Sequence, residues 1–126
     1  MDKLPPMEFT FDLNKKGSDT QKVYTGSFTY RRLSIGNQGK AGVLKAQLNG
    51  DLANVGQDVD QLHEMISWLR FGIVDYPEWW RESNFGIDLY DGNIVKEIYS
   101  LVSDFEKKWI EKVKLNDKSH SESSVK

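Results

Sequence analysis

From Met7 to Leu13 the chain alternates. Met7, Phe9, Phe11 and Leu13 share one parity, and Glu8, Thr10 and Asp12 take the other. A period of two gives one apolar and one wetted face, which predicts a strand over 7–13. Residues 14–21 are polar and contain Gly17, a turn residue. Residues 22–33 are rich in Val, Tyr, Thr and Phe, with Tyr24, Phe28 and Tyr30 on one parity and Gly26 between them. This composition favours a pleated surface. A glycine inside it marks a bulge or a close backbone approach. Together the two segments predict an antiparallel hairpin.

The period then changes. Ala41, Leu44, Leu48 and Leu52 are spaced for one helix face, among Gly36, Gly39, Gly42 and Gly50. A short helix over 38–49 follows, with Asn49-Gly50-Asp51 as its stop. Val59, Leu62, Met65, Ile66, Leu69 and Ile73 form a stronger stripe and predict a second helix over 57–74, ending before Pro77. Residues 77–89 read as a loop holding Trp79, Trp80 and Phe85. Asp91 is placed to N-cap a third helix over 92–114, whose stripe is Ile94, Ile98, Leu101, Phe105 and Trp109. Leu62, Ile66, Leu69, Ile98, Leu101 and Phe105 are assigned to the core.

The fold class is therefore α+β: an N-terminal antiparallel β-hairpin, three amphipathic α-helices and a disordered C-terminal tail. A flexible arm covers 1–6, a single domain 7–114, and a polar tail 115–126 that has too little apolar surface to offset its ordering entropy. A two-stranded hairpin is marginal alone. It must pack on the helices or gain strands from a neighbouring subunit.

A length of 126 residues fits one domain able to bury a core without staples. Seventeen Lys and Arg against 19 Asp and Glu leave a net charge of −2, without the basic footprint of a nucleic-acid binder or of a membrane-surface segment. There is no cysteine, so disulfides, thiolate metal sites and thiol nucleophiles are all excluded, and a reducing cytoplasm suits the chain. No apolar run approaches the roughly 18 residues of a membrane span. The N-terminus has no apolar segment of the secretory kind.

No catalytic pattern stands out along the chain. His63 and His120 are too few for a zinc site, and Asp60 with Glu64, one turn apart, reads as an acidic edge before it reads as a cation site. The regular ladder of a calcium loop is missing around Asp88 and Asp91-Gly92. No Gly-x-Ser-x-Gly elbow exists. Ser34 to Ala41 resembles a phosphate loop only until its first glycine is read as Ser34 and its magnesium hydroxyl as Ala41. Tyr24, Phe28 and Tyr30 beside Arg31 and Arg32 suggest either a base-stacking platform or the core face of a strand, and the negative charge favours the core. The reading is a protein that is not an enzyme and uses no cofactor, no metal, no nucleic acid and no membrane.

Tyr76-Pro77-Glu78-Trp79-Trp80-Arg81 concentrates three aromatics around one proline. Exposed Trp and Tyr beside Arg make a protein-binding hot spot. The same residues folded inward make a lid on a small core. Candidate partner contacts are Trp68, Tyr76, Trp79, Trp80 and Phe85.

The order of segments resembles a known family. Tyr24-Thr25-Gly26-Ser27-Phe28-Thr29-Tyr30-Arg31-Arg32-Leu33 ends the hairpin, and Pro77-Glu78-Trp79-Trp80 follows a helix. Asp91-Gly92-Asn93-Ile94-Val95-Lys96-Glu97-Ile98-Tyr99 opens the last helix, and Phe105-Glu106-Lys107-Lys108-Trp109 ends it. Over residues 20–110 this looks like the tail assembly chaperones of long-tailed bacteriophages, although its hairpin and glycine-rich link depart from their nearly all-helical members. The resemblance implies a host-cytoplasmic oligomer that coats the helical tape-measure protein and helps recruit tail-tube subunits, often made in a short and a frameshifted longer form. Other readings are a small inhibitor or regulator of one host protein, and a structural tail-completion protein of the virion.

Overall fold

A computed structural model describes the backbone of residues 4–50 and 56–125, and side chains through residue 116. Strand β1, Glu8–Lys16, and strand β2, Val23–Arg31, form the expected antiparallel hairpin, with Phe11 opposite Phe28 and Lys16 opposite Val23. Pairing extends three residues past the apolar alternation, because ladder hydrogen bonds hold Asn14 to Lys16 where no apolar side chain does. The turn closes with Gly17 N–H on the Lys22 carbonyl at 2.7 Å.

Helix α1, Ile35–Asn49, starts three residues before the expected position. Ser34 supplies the reason: its hydroxyl accepts from the Asn37 N–H at 3.2 Å and caps the helix across its glycines. Gly50 ends it as expected, with its N–H on the Ala46 and Gln47 carbonyls. Asp51 and Leu52, counted in the sequence pattern, lie outside the described residues.

Helix α2, Gln57–Gly72, stops two residues early. Ile73–Asp75 becomes strand β3, completing a three-stranded sheet in the order β1-β2-β3. β-Branched Ile73 and Val74 ahead of Tyr76-Pro77 favour extended backbone, and pairing of Ile73 with Tyr30 and Asp75 with Thr29 secures it. The expected aromatic loop opens as a fourth helix, α3, Glu78–Glu82, because Pro77 and Glu78 suit a helix start. The last helix, α4, Gly92–Val125, passes the predicted end at residue 114. No Gly or Pro interrupts residues 93–125, so nothing in the backbone stops it.

The core lies between one face of the sheet and the helices. Phe11, Leu13, Tyr24, Phe28 and Tyr30 face Ile94, Val95, Ile98 and Val102 of α4 and Ile66 and Leu69 of α2. This settles Tyr24, Phe28 and Tyr30 as core, against the stacking-platform reading. Leu62, Leu101 and Phe105 are only partly buried, at its margin. Gly26 marks a close approach, since a side chain there would overlap the Pro77 ring. Among the described residues no helix is long and apolar enough to cross a membrane.

Candidate protein-binding site

The structure divides the five aromatic candidates. Trp80 is fully buried beneath the sheet, its ring edge-on to Phe28 at 5.8 Å. It is a core residue and not a partner contact, because a helical turn from Pro77 aims successive side chains in different directions and sends this one inward. Trp79 is half-buried. Its indole N–H donates to the Thr25 carbonyl at 2.7 Å, and its ring leans on Tyr24 at 5.0 Å. Tyr76 and Phe85 meet edge to face at 5.5 Å, with the Arg70 guanidinium 3.9 Å over Phe85. These three form a small surface patch.

Trp68 stands apart on α2. Its indole N–H donates to the Tyr30 hydroxyl at 2.9 Å, and that hydroxyl donates to Glu106 of α4 at 2.5 Å. Glu106 also accepts from Arg32 Nε at 2.6 Å, and the Arg32 guanidinium lies 3.7 Å over the Trp109 ring. Burial first, then the Glu106 carboxylate, pushes the Tyr30 phenol well above its ordinary range. This chain of bonds floors a cleft of about 330 Å³ between α2 and α4, walled by Leu33, Trp68, Tyr99, Val102 and Ile110. Ile110 is 42% exposed at its rim. Trp68 is an aromatic candidate of the sequence, whereas Ile110, Val102 and Glu106 are not among the expected contacts. Their spacing of four residues on α4 is the only signal they carry.

The expected acidic edge is already neutralised. Lys45 of α1 reaches Asp60 at 3.5 Å and Glu64 at 3.3 Å, standing where a shared cation would. Asn49 donates to Asp60 at 2.9 Å and holds its carboxyl below the usual range, and His63 Nδ1 meets the Asn49 amide oxygen at 2.7 Å. Among the described residues no group of three metal-ligating side chains converges.

Asp91 stands immediately before α4 as expected, its carbonyl accepting from the Ile94 N–H at 3.0 Å, while its carboxylate is engaged by the hairpin. It accepts from the Asp19 and Thr20 backbone N–H groups at 2.8 and 2.9 Å, from the Thr20 hydroxyl at 2.5 Å and from the Tyr24 hydroxyl at 2.9 Å. The Thr20 hydroxyl, followed by the other donors, pulls its pKa down to about 2 against the opposing effect of burial. Asn93 completes the clamp by accepting from Ser18 N–H and donating to the Lys16 carbonyl, both at 2.9 Å. A perturbed carboxylate is a functional signal only where it faces a cleft. With four donors saturating its carboxylate, Asp91 is structural.

Comparison with protein-family models, with curated proteins and with solved structures finds no match to this chain.

Proposed function

We propose that this domain is a non-enzymatic protein-binding module that holds a helical segment of a partner, in the manner of a phage tail assembly chaperone on its tape-measure protein. The observation that supports this reading is the α2–α4 cleft. Its walls combine Leu33, Trp68, Tyr99, Val102 and Ile110 with the polar side chains of Gln38 and Ser103, and its floor is the satisfied Glu106–Arg32 pair, to which the buried Tyr30 hydroxyl donates. An amphipathic helix reads such a groove through apolar residues at i, i+3, i+4 and i+7. Coating a long helix requires repeated weak contacts, which self-association of the binding module multiplies. Recruitment of tail-tube subunits and work in a host cytoplasm belong to the same proposal. The Tyr76–Phe85–Arg70 patch gives the inhibitor reading its own surface, since an aromatic cluster with an arginine suits a single target.

The test is co-purification with the proteins of neighbouring genes, identified by mass spectrometry, for the wild type and for Ile110→Asp. Recovery of a very long helix-rich protein, lost in Ile110→Asp while circular dichroism stays unchanged, supports the chaperone reading. Recovery of one host enzyme or defence factor that survives Ile110→Asp overturns it.

A further inference from the structure

Strand β1 is an outer strand of the sheet. Its inward side is fixed by two bonds that bracket the ladder, Arg32 N–H to the Met7 carbonyl at 3.0 Å and Gly17 N–H to the Lys22 carbonyl. Hydrogen-bonded pairs alternate along an antiparallel ladder. Phe9, Phe11, Leu13 and Lys15 therefore bond toward β2, and Glu8, Thr10, Asp12, Asn14 and Lys16 point their N–H and C=O groups outward. The Asn93 amide meets the Lys16 carbonyl. No backbone partner for the other four is found among the described residues. A flat edge of this kind is a template for another strand.

The edge is not bare. Beside it runs a groove of about 360 Å³ between β1 and one flank of α4. That flank reads Glu97, Leu101, Asp104, Lys108 and Lys112 at helical spacing. α4 runs antiparallel to β1, since Lys15 meets Glu97 at 3.7 Å and Phe9 stacks on Phe105 at 5.1 Å.

We infer that a second copy of this chain docks on the β1 edge, pairing β1 with β1 antiparallel about a two-fold axis at Phe11. This register uses the four open residues, Glu8 with Asn14 and Thr10 with Asp12, and leaves out Lys16. Two further observations favour the copy over a foreign strand. The first is charge. In the helix layer the same rotation brings Glu97 toward the copy's Lys108. The second is spacing. Phe105 touches both Phe9 of β1 and Tyr30 of β2, at 5.1 and 5.9 Å, so α4 runs beneath the gap between those strands. With strands about 4.8 Å apart, the two α4 helices come to lie about 10 Å apart. Packed helices sit at about 8–10 Å. Leu101, half-buried in the groove, then meets its own counterpart. This inference does not rest on the helical-partner reading, because a monomer could still fill the α2–α4 cleft.

The experiment is sedimentation velocity of the full chain across a concentration series, beside Asp12→Pro. The Asp12 N–H points outward, so proline there removes a donor from the proposed interface and none from the β1–β2 ladder. A wild type reaching twice 14.5 kDa, with a dissociation constant raised on the order of tenfold to a hundredfold in Asp12→Pro, is expected. A wild type that stays monomeric at high concentration overturns the inference, as does a folded Asp12→Pro that dimerises unchanged. Amide exchange of the wild type decides the matter if Asp12→Pro does not fold. Thr10 and Asp12 amides protected only at high concentration support the edge, and protection independent of concentration overturns it.

Discussion

The Tyr24 hydroxyl donates to the Asp91 carboxylate at 2.9 Å, tying β2 to the start of α4 across 67 residues of chain. Around this bond the hairpin turn is fixed to the last helix, and Gly17 sits so close to the carboxylate that no side chain fits there. The clamp is a long-range contact in a sheet whose strands would be marginal alone.

The clamp predicts an acid transition. The Asp91 pKa is depressed to about 2 in the folded state against 3.8 as the ordinary value. Its contribution is therefore complete above about pH 4 and is lost as pH falls toward 2. Asp91→Asn should lower Tm by several degrees at pH 7 and flatten the pH dependence of stability between pH 4 and 2. Gly17→Ala should lower Tm through the same contact. Thermal melts at stepped pH check both.

The two tryptophans should separate. Trp80→Ala should cost about 3–5 kcal/mol and leave much of the chain unfolded at 37 °C, as large-to-small core changes do. Trp79→Ala should cost about 1–3 kcal/mol, since its ring is half-buried and one hydrogen bond is lost. Urea titrations followed by circular dichroism give the two values, and equal losses would place both rings alike.

Tyr30→Phe should cost about 1.5–3 kcal/mol. It removes the hydroxyl that accepts from Trp68 and donates to the Glu106 carboxylate, and bonds to charged groups lie at the upper end of the hydrogen-bond range. Arg32→Lys should weaken the same network, because an ammonium cannot both reach Glu106 and stack flat on Trp109. Denaturant melts of each variant and of the pair measure their coupling.

Removal of residues 116–126 should leave Tm within about 1 °C. Leu115 is 65% exposed where this segment begins, and the residues after it are almost all polar, so little apolar burial is lost. A fall of several degrees would show that the end of α4 docks on the domain.

Much of the fold was legible in the chain. The alternation of Phe9, Phe11 and Leu13 determined the inward face of β1, and Gly26 announced the close approach that Pro77 makes. The stripe of Ile94, Ile98 and Leu101 determined α4, because helical period and apolar spacing are local properties. The absence of cysteine settled which chemistries the chain lacks.

Only the tertiary structure decided the rest. β3 exists because Tyr30 and Thr29 offer a partner to Ile73 and Asp75, and three residues carry no period of their own. Trp79 and Trp80 look alike in sequence, but one is locked in the core and the other rests on Tyr24, since side-chain direction depends on a helical turn that Pro77 starts. Asp91 read locally as a helix cap. Four donors from the hairpin claimed its carboxylate, because a carboxylate follows the donors brought within reach, and those lie some seventy residues earlier in the chain.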